Sequence, residues 1–435
     1  MAARPLKSYC LGAALVAALA CGVPGCQSVR GPRTITVQQS GAADVIGADN
    51  VALQRAADML RPGDTLLIGP GTYTMHNSLL LPSSVTVRGM AGQTILWKDR
   101  GVQSLLAEDG DYGETRLRVV DPTRFHPGMG ITLLDDATPE GYGVHVAAIT
   151  AVDGDVLRIH PMTLHDYNVE RRRARVQNTF PILCAMNAEK ITIEDIVVDG
   201  NKSENAYLDG CRGGAIYLYQ VRDATVRNCV ARNYNGDGIS FQISENTRIL
   251  NCESYGHTGF GVHPGTGTHH AIVRDSRIHD NGDVGIYLCY RVRHSEFANN
   301  IIERNGRYGI SIGHKDTDNV FVGNAVSRNG HSGIYLREQT LLNSGHRNTF
   351  RRNAVTDNGG PKEGYGFYIA PHARGTVIEE NRIEQPAKSG RHYAVYAEEA
   401  DPELVLQDNT VIGEVAAAKG GSLQTKTAGL SRPQR

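Results

Sequence analysis

The chain has 435 residues, with 45 Lys and Arg against 46 Asp and Glu, and 40% of its residues are hydrophobic. The near-neutral charge excludes a dedicated nucleic-acid binder, which would carry a basic excess, and the hydrophobic content excludes a wholly disordered chain. The only long apolar run lies at the very start, which excludes a membrane protein with several spans.

The first predicted element is an export signal over residues 1–26. Its apolar stretch, residues 11–20, is too short to span a bilayer. Cys26 follows Val-Pro-Gly and resembles the lipidated cysteine of bacterial lipoproteins, with Cys21 or plain secretion as alternatives. We therefore expect an exported protein of the cell envelope that touches the membrane only through a lipid anchor, or else a secreted one.

Two further segments precede the regular part of the chain. Residues 49–60 (DNVALQRAADML) have the pattern of an amphipathic helix, followed by a strand-rich segment from Pro62 to Tyr73. Residues 110–180 carry a strand-like alternation of their own. We interpret them as a small inserted β subdomain that walls one side of a groove.

From residue 190 onward a Gly-Ile-x-aliphatic phrase recurs at intervals of 23, 23, 24, 24, 24, 33 and 28 residues. Strands this short cannot bury a face alone, but coils that stack rung on rung pair their backbone groups everywhere except at the two ends. The pattern predicts an all-β, single-stranded parallel β-helix of about 24 residues per rung over residues 34–412, with 413–435 as a disordered tail. The phrase begins at Ala215, Gly238, Gly261, Gly285, Gly309, Gly333, Gly366 and Ala394.

A second column lies between these phrases and consists almost entirely of asparagine. We expect its amides to hydrogen-bond from rung to rung. The column contains Asn228, Asn251, Asp275, Asn300, Asn324, Asn353, Asn381 and Asn409.

With these repeats, the chain resembles the right-handed parallel β-helix superfamily of pectate-lyase-like proteins over most of residues 34–412. The resemblance implies that the helix at 49–60 caps the open end of the coil. It also implies a polysaccharide, acidic in our interpretation, as the partner. We expect a monomer.

Strand alternation then assigns the side chains that face outward. If Ile and the aliphatic residue of each phrase point inward, the residue between them points outward, and so does the residue two positions later. Tyrosine rings in such a column offer stacking surfaces to sugar rings. The expected substrate-binding residues are Tyr217, Tyr219, Ser240, Gln242, Arg291, Ser311, Tyr335, Glu338 and Tyr368.

Basic residues on neighbouring rungs suggest the chemistry. Cleavage of a uronide chain by β-elimination needs a group that neutralises the carboxylate, a base for the C5 proton and an acid for the leaving oxygen. The expected catalytic residues are Lys315, Arg337, His263, Tyr287 and His314.

One segment is similar to the alginate lyases and chondroitinase-B-like lyases of this fold. Lys315 is followed by Asn319 and Asn324 and then by Ile334-Tyr-Leu-Arg337. The similarity implies that Lys315 is the base and Arg337 the acid or the carboxylate partner. The calcium-ligating glutamates of that group are replaced by Tyr308 and Ile310, so we expect neither calcium nor another cofactor.

Other functions stay open. Asp237, Asp316 and Asp318 are candidate carboxylates for a glycoside hydrolase or transglycosylase. A uronan C5-epimerase would share the first step of the lyase reaction, and a non-catalytic protein would only bind the polysaccharide. The cysteines lack metal-type spacing, so the sequence predicts no metal site.

Overall fold

The computed structural model describes residues 31–138, 140–386, 390–399, 401–418 and 425–426. The predicted export signal and its candidate lipidation site, Cys26, lie outside these residues. The body of the chain begins at Arg33. Within the described residues, no helix combines the length and the hydropathy that a membrane span requires.

The body is a right-handed parallel β-helix, as the repeats predicted, built from three parallel sheets to which each rung contributes one strand. In hydrogen-bonded order, sheet 1 contains Val45–Ile46, Thr34–Gln38, Thr65–Ile68, Thr86–Arg88, Thr192–Glu194, Thr225–Arg227, Arg248–Leu250, Ile272–Arg274, Glu296–Ala298, Val320–Val322, Thr349–Arg351, Val377–Glu379, Val405–Gln407 and Thr425–Lys426. Sheet 2 contains Gly71–Met75, Thr94–Lys98, Val197–Asp199, Val230–Arg232, Glu253–Tyr255, Arg277–His279, Ile301–Glu303, Ala325–Ser327, Ala354–Thr356, Arg382–Glu384 and Thr410–Ile412. Sheet 3 contains Leu79–Leu80, Leu183–Met186, Ile216–Tyr219, Ile239–Gln242, Val262–Pro264, Val284–Tyr287, Tyr308–Ile312, Ser332–Leu336, Glu363–Ile369, Arg391–Ala397 and Glu414–Ala417.

The last strand of sheet 3 lies beyond the predicted end of the coil. Glu414–Ala417 pairs in parallel with Arg391–Ala397, so the β-helix continues past residue 412 into the segment interpreted as a disordered tail.

The N-terminal helix covers the end of the coil. It runs from Asn50 to Ala57, and the Asp49 side chain caps it by accepting a hydrogen bond from the backbone of Ala52 at 2.9 Å. Leu53 and Ala56 are fully buried against the first rungs. The helix therefore shields the apolar interior from water, although it ends three residues before Leu60, the predicted boundary.

The inserted subdomain is a separate antiparallel sheet with its own apolar core. Its strands, in hydrogen-bonded order, are Gln103–Leu105, Arg175–Gln177, Gly130–Leu134, His145–Asp153, Val156–His160 and Arg116–Arg118. The remaining short helices are Gly141–Gly143, Val169–Arg172, Lys202–Glu204 and Leu341–Asn343.

The predicted asparagine column proves to be two adjacent ladders. An interior ladder runs through Asn300, Asn324 and Asn353, where each Nδ2 donates to the next Oδ1 at 2.9 Å. Asn228 and Asn251 belong instead to an exposed ladder one position earlier, joined at 2.9 Å. The prediction of a single column is therefore wrong at its start, where the predicted residues lie one position before the interior ladder. On those rungs the interior positions are occupied by Cys229, Cys252 and Ser276 instead of asparagine.

Candidate functional site

The outer face of sheet 3 carries the predicted column in register. Tyr217 pairs with Ser240, and Ser240 pairs with His263. Tyr287 pairs with Ser311 on the following rungs. The same column continues through Tyr335, Tyr368 and Tyr396.

A loop at residues 209–213 covers the upper half of this column, by which we mean the half on the rungs nearer the N-terminus. The hydroxyl of Ser240 donates to the carbonyl oxygen of Gly210 at 2.6 Å, and a Cβ on Gly210 would lie 2.6 Å from His263 Nδ1. The expectation of an accessible face is wrong for five residues, of which four contact this loop and the fifth, Ser311, is hydrogen-bonded by Arg337. They lie outside the coil but are at most 2% exposed, namely Tyr217, Ser240, Gln242, His263 and Ser311.

Beneath the loop, Asp237 and His263 form a buried pair. His263 Nδ1 lies 2.7 Å from Asp237 Oδ2, and the other carboxylate oxygen accepts the backbone N–H of Phe260 at 2.8 Å. Burial favours the neutral imidazole, but hydrogen bonds with Asp237 and Cys289 outweigh it and raise the pKa of His263 to about 10. Asp237 thus fixes the orientation of His263.

Two half-buried cysteines adjoin this buried pair. Cys289 lies on the rung after His263 and Cys211 lies in the covering loop, and both are free thiols. One ligand atom from each of Cys211, His263 and Cys289 lies within 4.8 Å of the other two. A hydrogen bond from Cys211, together with the contact with His263, lowers the pKa of the Cys289 thiol against the opposing effect of burial.

Tyr287 and Arg337 form the partly buried centre of the face, where the Arg337 side chain is 12% exposed. The guanidinium carbon of Arg337 lies 4.4 Å from the centre of the Tyr287 ring, and the other side of that ring stacks on Phe260 at 4.1 Å. The His263 ring meets Tyr287 edge-on at 5.4 Å. Burial raises the pKa of Tyr287 to about 12, so its hydroxyl keeps its proton at neutral pH.

Arg337 is held by hydrogen bonds as well as by this stacking. Nη1 donates to the Ser311 hydroxyl at 2.9 Å, and Nη2 donates to the carbonyl oxygen of Leu288 at 2.6 Å. Nη2 also lies 3.4 Å from a carboxylate oxygen of Asp316. Burial raises the pKa of Asp316 to about 7, although Arg337 and two backbone N–H groups oppose the shift.

His314 and Lys315 form a strained turn next to this arginine. Their φ angles are 38° and 65°, and they are the only two consecutive non-glycine residues with positive φ in the described part of the chain. Asp316 holds the turn through hydrogen bonds from the backbone N–H groups of Gly313 and Val292. Lys315 is half-buried and forms no ion pair among the described residues, and the His314 ring stacks on Tyr290 at 4.9 Å. Strain of this kind is often found at functional sites.

A group of tyrosines continues the face toward the C-terminal rungs. Tyr335, Tyr368 and Tyr396 are half-buried, and their rings follow one another at 5.3 Å. The Tyr368 hydroxyl hydrogen-bonds to Glu398. These rings remain available for stacking against a ligand, unlike the covered residues of the upper half.

The inserted subdomain meets the other end of this face. Arg212 of the covering loop lies over the Tyr142 ring at 5.7 Å. A cavity of about 80 Å³ separates Val146 of the subdomain from Tyr217 and Tyr219 of the coil. The subdomain thus borders the upper end of the outer face.

The remaining predicted residues lie at the rim. Arg291 and Glu338 are exposed, and the Arg291 guanidinium lies 4.8 Å from the centre of the Tyr290 ring. Asp318 forms an ion pair with Arg347 at 2.7 Å. The structure therefore groups Tyr287, Arg337 and the turn at 314–315, and it places Asp318 in a separate surface pair.

Several residues at this site were missed by the sequence analysis. Cys211 and Gly210 belong to the covering loop, which lies outside the repeat and gave no periodic signal. Phe260 and Tyr142 reach the face from a turn and from the inserted subdomain. Cys289 lies two positions after Tyr287, so alternation predicts that it faces outward, but its contact with Cys211 could not be predicted from separation along the chain.

Comparisons with known proteins support the fold. A family model described as a right handed beta helix region matches residues 182–340. No curated protein sequence matches the chain.

Three similar solved structures cover most of the chain. The A-module of a mannuronan C-5 epimerase from Azotobacter vinelandii is 14% identical, with 88% of this chain and 96% of that chain covered and a TM-score of 0.56. An alginate lyase from Paenibacillus sp. is 14% identical, with 82% and 97% covered and a TM-score of 0.50. A protein titled glycoside hydrolase is 11% identical, with 89% and 97% covered and a TM-score of 0.50. At these identities the similarity establishes the fold alone.

Proposed function

We propose that this chain is an exported enzyme that binds an acidic, uronate-containing polysaccharide on the outer face of sheet 3 and cleaves it by β-elimination. The observation that carries the proposal is the stacking of Arg337 on Tyr287 beside the strained turn at His314 and Lys315. The proposal is supported by the origin of a phenol, an amine and a guanidinium from three successive rungs.

Binding would use the tyrosines and the cations together. The rings of Tyr335 and Tyr368 supply stacking surfaces one rung apart, about 5 Å by strand spacing. Arg291 and Lys315 follow the strands on the two rungs before Tyr335 and would attract the carboxylates of the polymer. Burial lowers the pKa of His314, which would act as a neutral hydrogen-bonding group. Glu338 at the rim can accept hydrogen bonds from sugar hydroxyls.

The elimination step follows from the chemistry of the central residues. Arg337 neutralises the uronate carboxylate, which stabilises the negative charge that develops when the C5 proton leaves. Lys315 removes that proton, and Tyr287 donates its proton to the leaving oxygen at C4. The C5–H and C4–O bonds break, a C4–C5 double bond forms, and no metal or cofactor is consumed.

Hydrolysis by carboxylates is less well supported. Asp237 and Asp316 are at most 1% exposed, and each is bound by backbone N–H groups. Asp318 is paired with Arg347. None of these three is placed to reach a sugar together with a second carboxylate.

Epimerisation at C5 is the second candidate. The structural neighbour with a TM-score of 0.56 is titled a mannuronan C-5 epimerase, and another is an alginate lyase. Both reactions begin with removal of the C5 proton, so the same residues serve either one. They differ in whether C5 regains a proton or the C4 oxygen leaves.

The test is to incubate the purified chain with alginate, pectate or glycosaminoglycans in ²H₂O and to follow both ultraviolet absorbance and deuterium at C5. Elimination predicts growing absorbance from unsaturated uronides, with at least a 100-fold loss in Lys315→Ala and Arg337→Ala. Lys202→Ala and Arg382→Ala, which remove exposed basic side chains, provide matched controls. Deuterium at C5 without absorbance indicates epimerisation, and new reducing ends without either signal indicate hydrolysis.

We also propose that Cys26 anchors the mature chain to a membrane through a lipid. The motif around Cys26 supports this proposal. Expression of the whole chain in a bacterial host should give a membrane-bound, lipid-modified protein, and Cys26→Ser should release it. A soluble chain with a free N-terminus after cleavage before Cys21 would contradict the anchor.

A further inference from the structure

The side chains that meet between the covering loop and the coil have the composition of a metal site. Cys211 in the loop and Cys289, two residues after the strand Val284–Tyr287, each contribute a sulfur, and His263 contributes a ring nitrogen. The three ligand atoms lie within 4.8 Å of one another. Thiolate sulfur and imidazole nitrogen are the ligands that zinc prefers.

A second observation concerns the orientation of His263. Its Nδ1 is 2.7 Å from Asp237 Oδ2, and both side chains are 2% exposed. Because Asp237 accepts the Nδ1 proton, Nε2 is the ring nitrogen that can exchange its own proton for a metal ion. Carboxylate–histidine pairs of this kind orient the ligands of zinc sites.

The surroundings also hold the ligands in place. Gly210 lies directly on the Asp237–His263 pair, where a Cβ would come within 1.7 Å of Asp237 Oδ2 and 2.6 Å of His263 Nδ1. The Asp209 side chain accepts the backbone N–H of Cys211 at 2.8 Å, which fixes the loop cysteine. The loop is thus tied to the coil at the positions that supply the ligands.

We propose that Cys211, His263 and Cys289 bind one Zn²⁺ ion, with Asp237 as the partner that orients His263. Three protein ligands leave the fourth tetrahedral position for water or another exogenous group, as in zinc sites with catalytic ligand sets. Zn²⁺ replaces the protons that the two thiols and Nε2 of His263 share in the metal-free site. Two thiolates and a neutral imidazole then balance the charge of the ion, which suits a site largely removed from water.

A disulfide between the two cysteines is the main alternative. It would explain the proximity of Cys211 and Cys289 but would leave the buried Asp237–His263 pair without a role. The zinc site accounts for all four residues. It is also independent of the proposed elimination, which uses Lys315 and Arg337.

The test measures the metal itself. The full chain, purified under reducing conditions, is dialysed against a chelator and titrated with Zn²⁺, and in parallel with Co²⁺ for its visible spectrum. We expect one ion per chain, a cobalt spectrum with the thiolate charge-transfer band of tetrahedral sites, and a rise in melting temperature on zinc addition.

Variants assign the site. Cys211→Ala and Cys289→Ala should lose stoichiometric binding, and Asp237→Asn should weaken it by 10- to 100-fold. Cys229→Ala, a buried cysteine elsewhere in the coil, should bind zinc as the parent does. Circular dichroism of each metal-free variant shows whether it has folded.

Three results would overturn the proposal. The first is that the reduced chain takes up neither ion, and the second is that uptake persists in both cysteine variants. The third is that peptide mapping of the native protein finds a Cys211–Cys289 disulfide and that reduction restores no metal binding. None of these results depends on whether the chain cleaves a polysaccharide.

Discussion

The interior asparagine ladder and the outer face of sheet 3 are built on the same rungs but follow opposite rules. Inside, Asn300, Asn324 and Asn353 repeat because each satisfies the same backbone groups of its neighbours. Outside, the residue changes at each rung from Tyr217 to Tyr335, and only the tyrosines of the last rungs repeat. In this coil, repetition in the interior therefore marks residues that hold the architecture, and a change of residue type on the outer face marks positions that are free to carry chemistry.

The largest expected effect comes from breaking the interior ladder. Asn300 Oδ1 accepts the backbone N–H of Ser276, and Nδ2 donates to the carbonyl oxygen of Val273 and to Asn324. Asn300→Ala leaves these buried groups unpaired and should lower the free energy of unfolding by about 3–5 kcal/mol. Denaturant unfolding measures the loss. Asn299→Gly, at the adjacent exposed position with a φ of 53°, should change it by less than about 1 kcal/mol, and equal losses would contradict the distinction between the ladders.

Removal of a buried charged group outside the ladder should raise the free energy of unfolding instead of lowering it. Lys98 is 1% exposed, with Nζ 4.5 Å from the centre of the Phe180 ring, and burial lowers its pKa to about 7. Between this value and the ordinary 10.5 the unfolded chain binds more protons, so stability rises with pH across that range. Lys98→Met should therefore stabilise the chain by on the order of 3 kcal/mol at pH 6 and by much less at pH 10.

Melting temperatures at the two pH values test this difference. The exposed Lys202→Met serves as the control and should show no pH-dependent gain. An equal effect of Lys98→Met at both pH values would show that packing rather than charge decides its contribution.

On the outer face, the contact between coil and covering loop should have an intermediate effect. The Ser240 hydroxyl donates to Gly210 and lies 3.1 Å from Gln242 Nε2, so Ser240→Ala should cost about 1–2 kcal/mol. Limited proteolysis should also cut faster within residues 209–213. Ser327→Ala, whose hydroxyl has no hydrogen-bond partner among the described residues, should change neither stability nor cleavage.

The smallest effect is expected at the exposed ion pair of Asp318 and Arg347. Both side chains are partly solvated, so Asp318→Asn should change the free energy of unfolding by less than about 0.5 kcal/mol. Asparagine also tolerates the φ of 61° at this position. A marked loss of polysaccharide cleavage in this variant would reopen the hydrolase hypothesis, in which Asp318 was a candidate carboxylate.

The sequence predicted the fold well because its signals are local and repeated. The Gly-Ile-x-aliphatic phrase at about 24 residues fixed the rung length, and alternation then assigned Ser240, Tyr287 and Tyr335 to one outward column. The asparagine column was predicted less well. Its interior positions begin with Cys229 and Cys252, so the aligned asparagines came from two neighbouring ladders.

The candidate site was predicted only in part. Register along the strands brought Tyr287 and Arg337 to one face, since a regular period converts sequence distance into spatial distance. The same rule could not show that His263 is covered, because the covering loop at 209–213 lies outside the repeat. It also could not join Cys211 to Cys289, whose contact depends on how that loop folds back.

The sequence by itself determined that the chain coils into stacked rungs and which side chains face outward, because both follow from the period and the alternation of short strands. The tertiary structure alone decided which outward side chains reach solvent and which are buried in pairs. That difference arises because a loop without periodicity covers half of the outer face. The loop is held by a hydrogen bond from Ser240 and by its contact with the Asp237–His263 pair, and it buries the side chains beneath it.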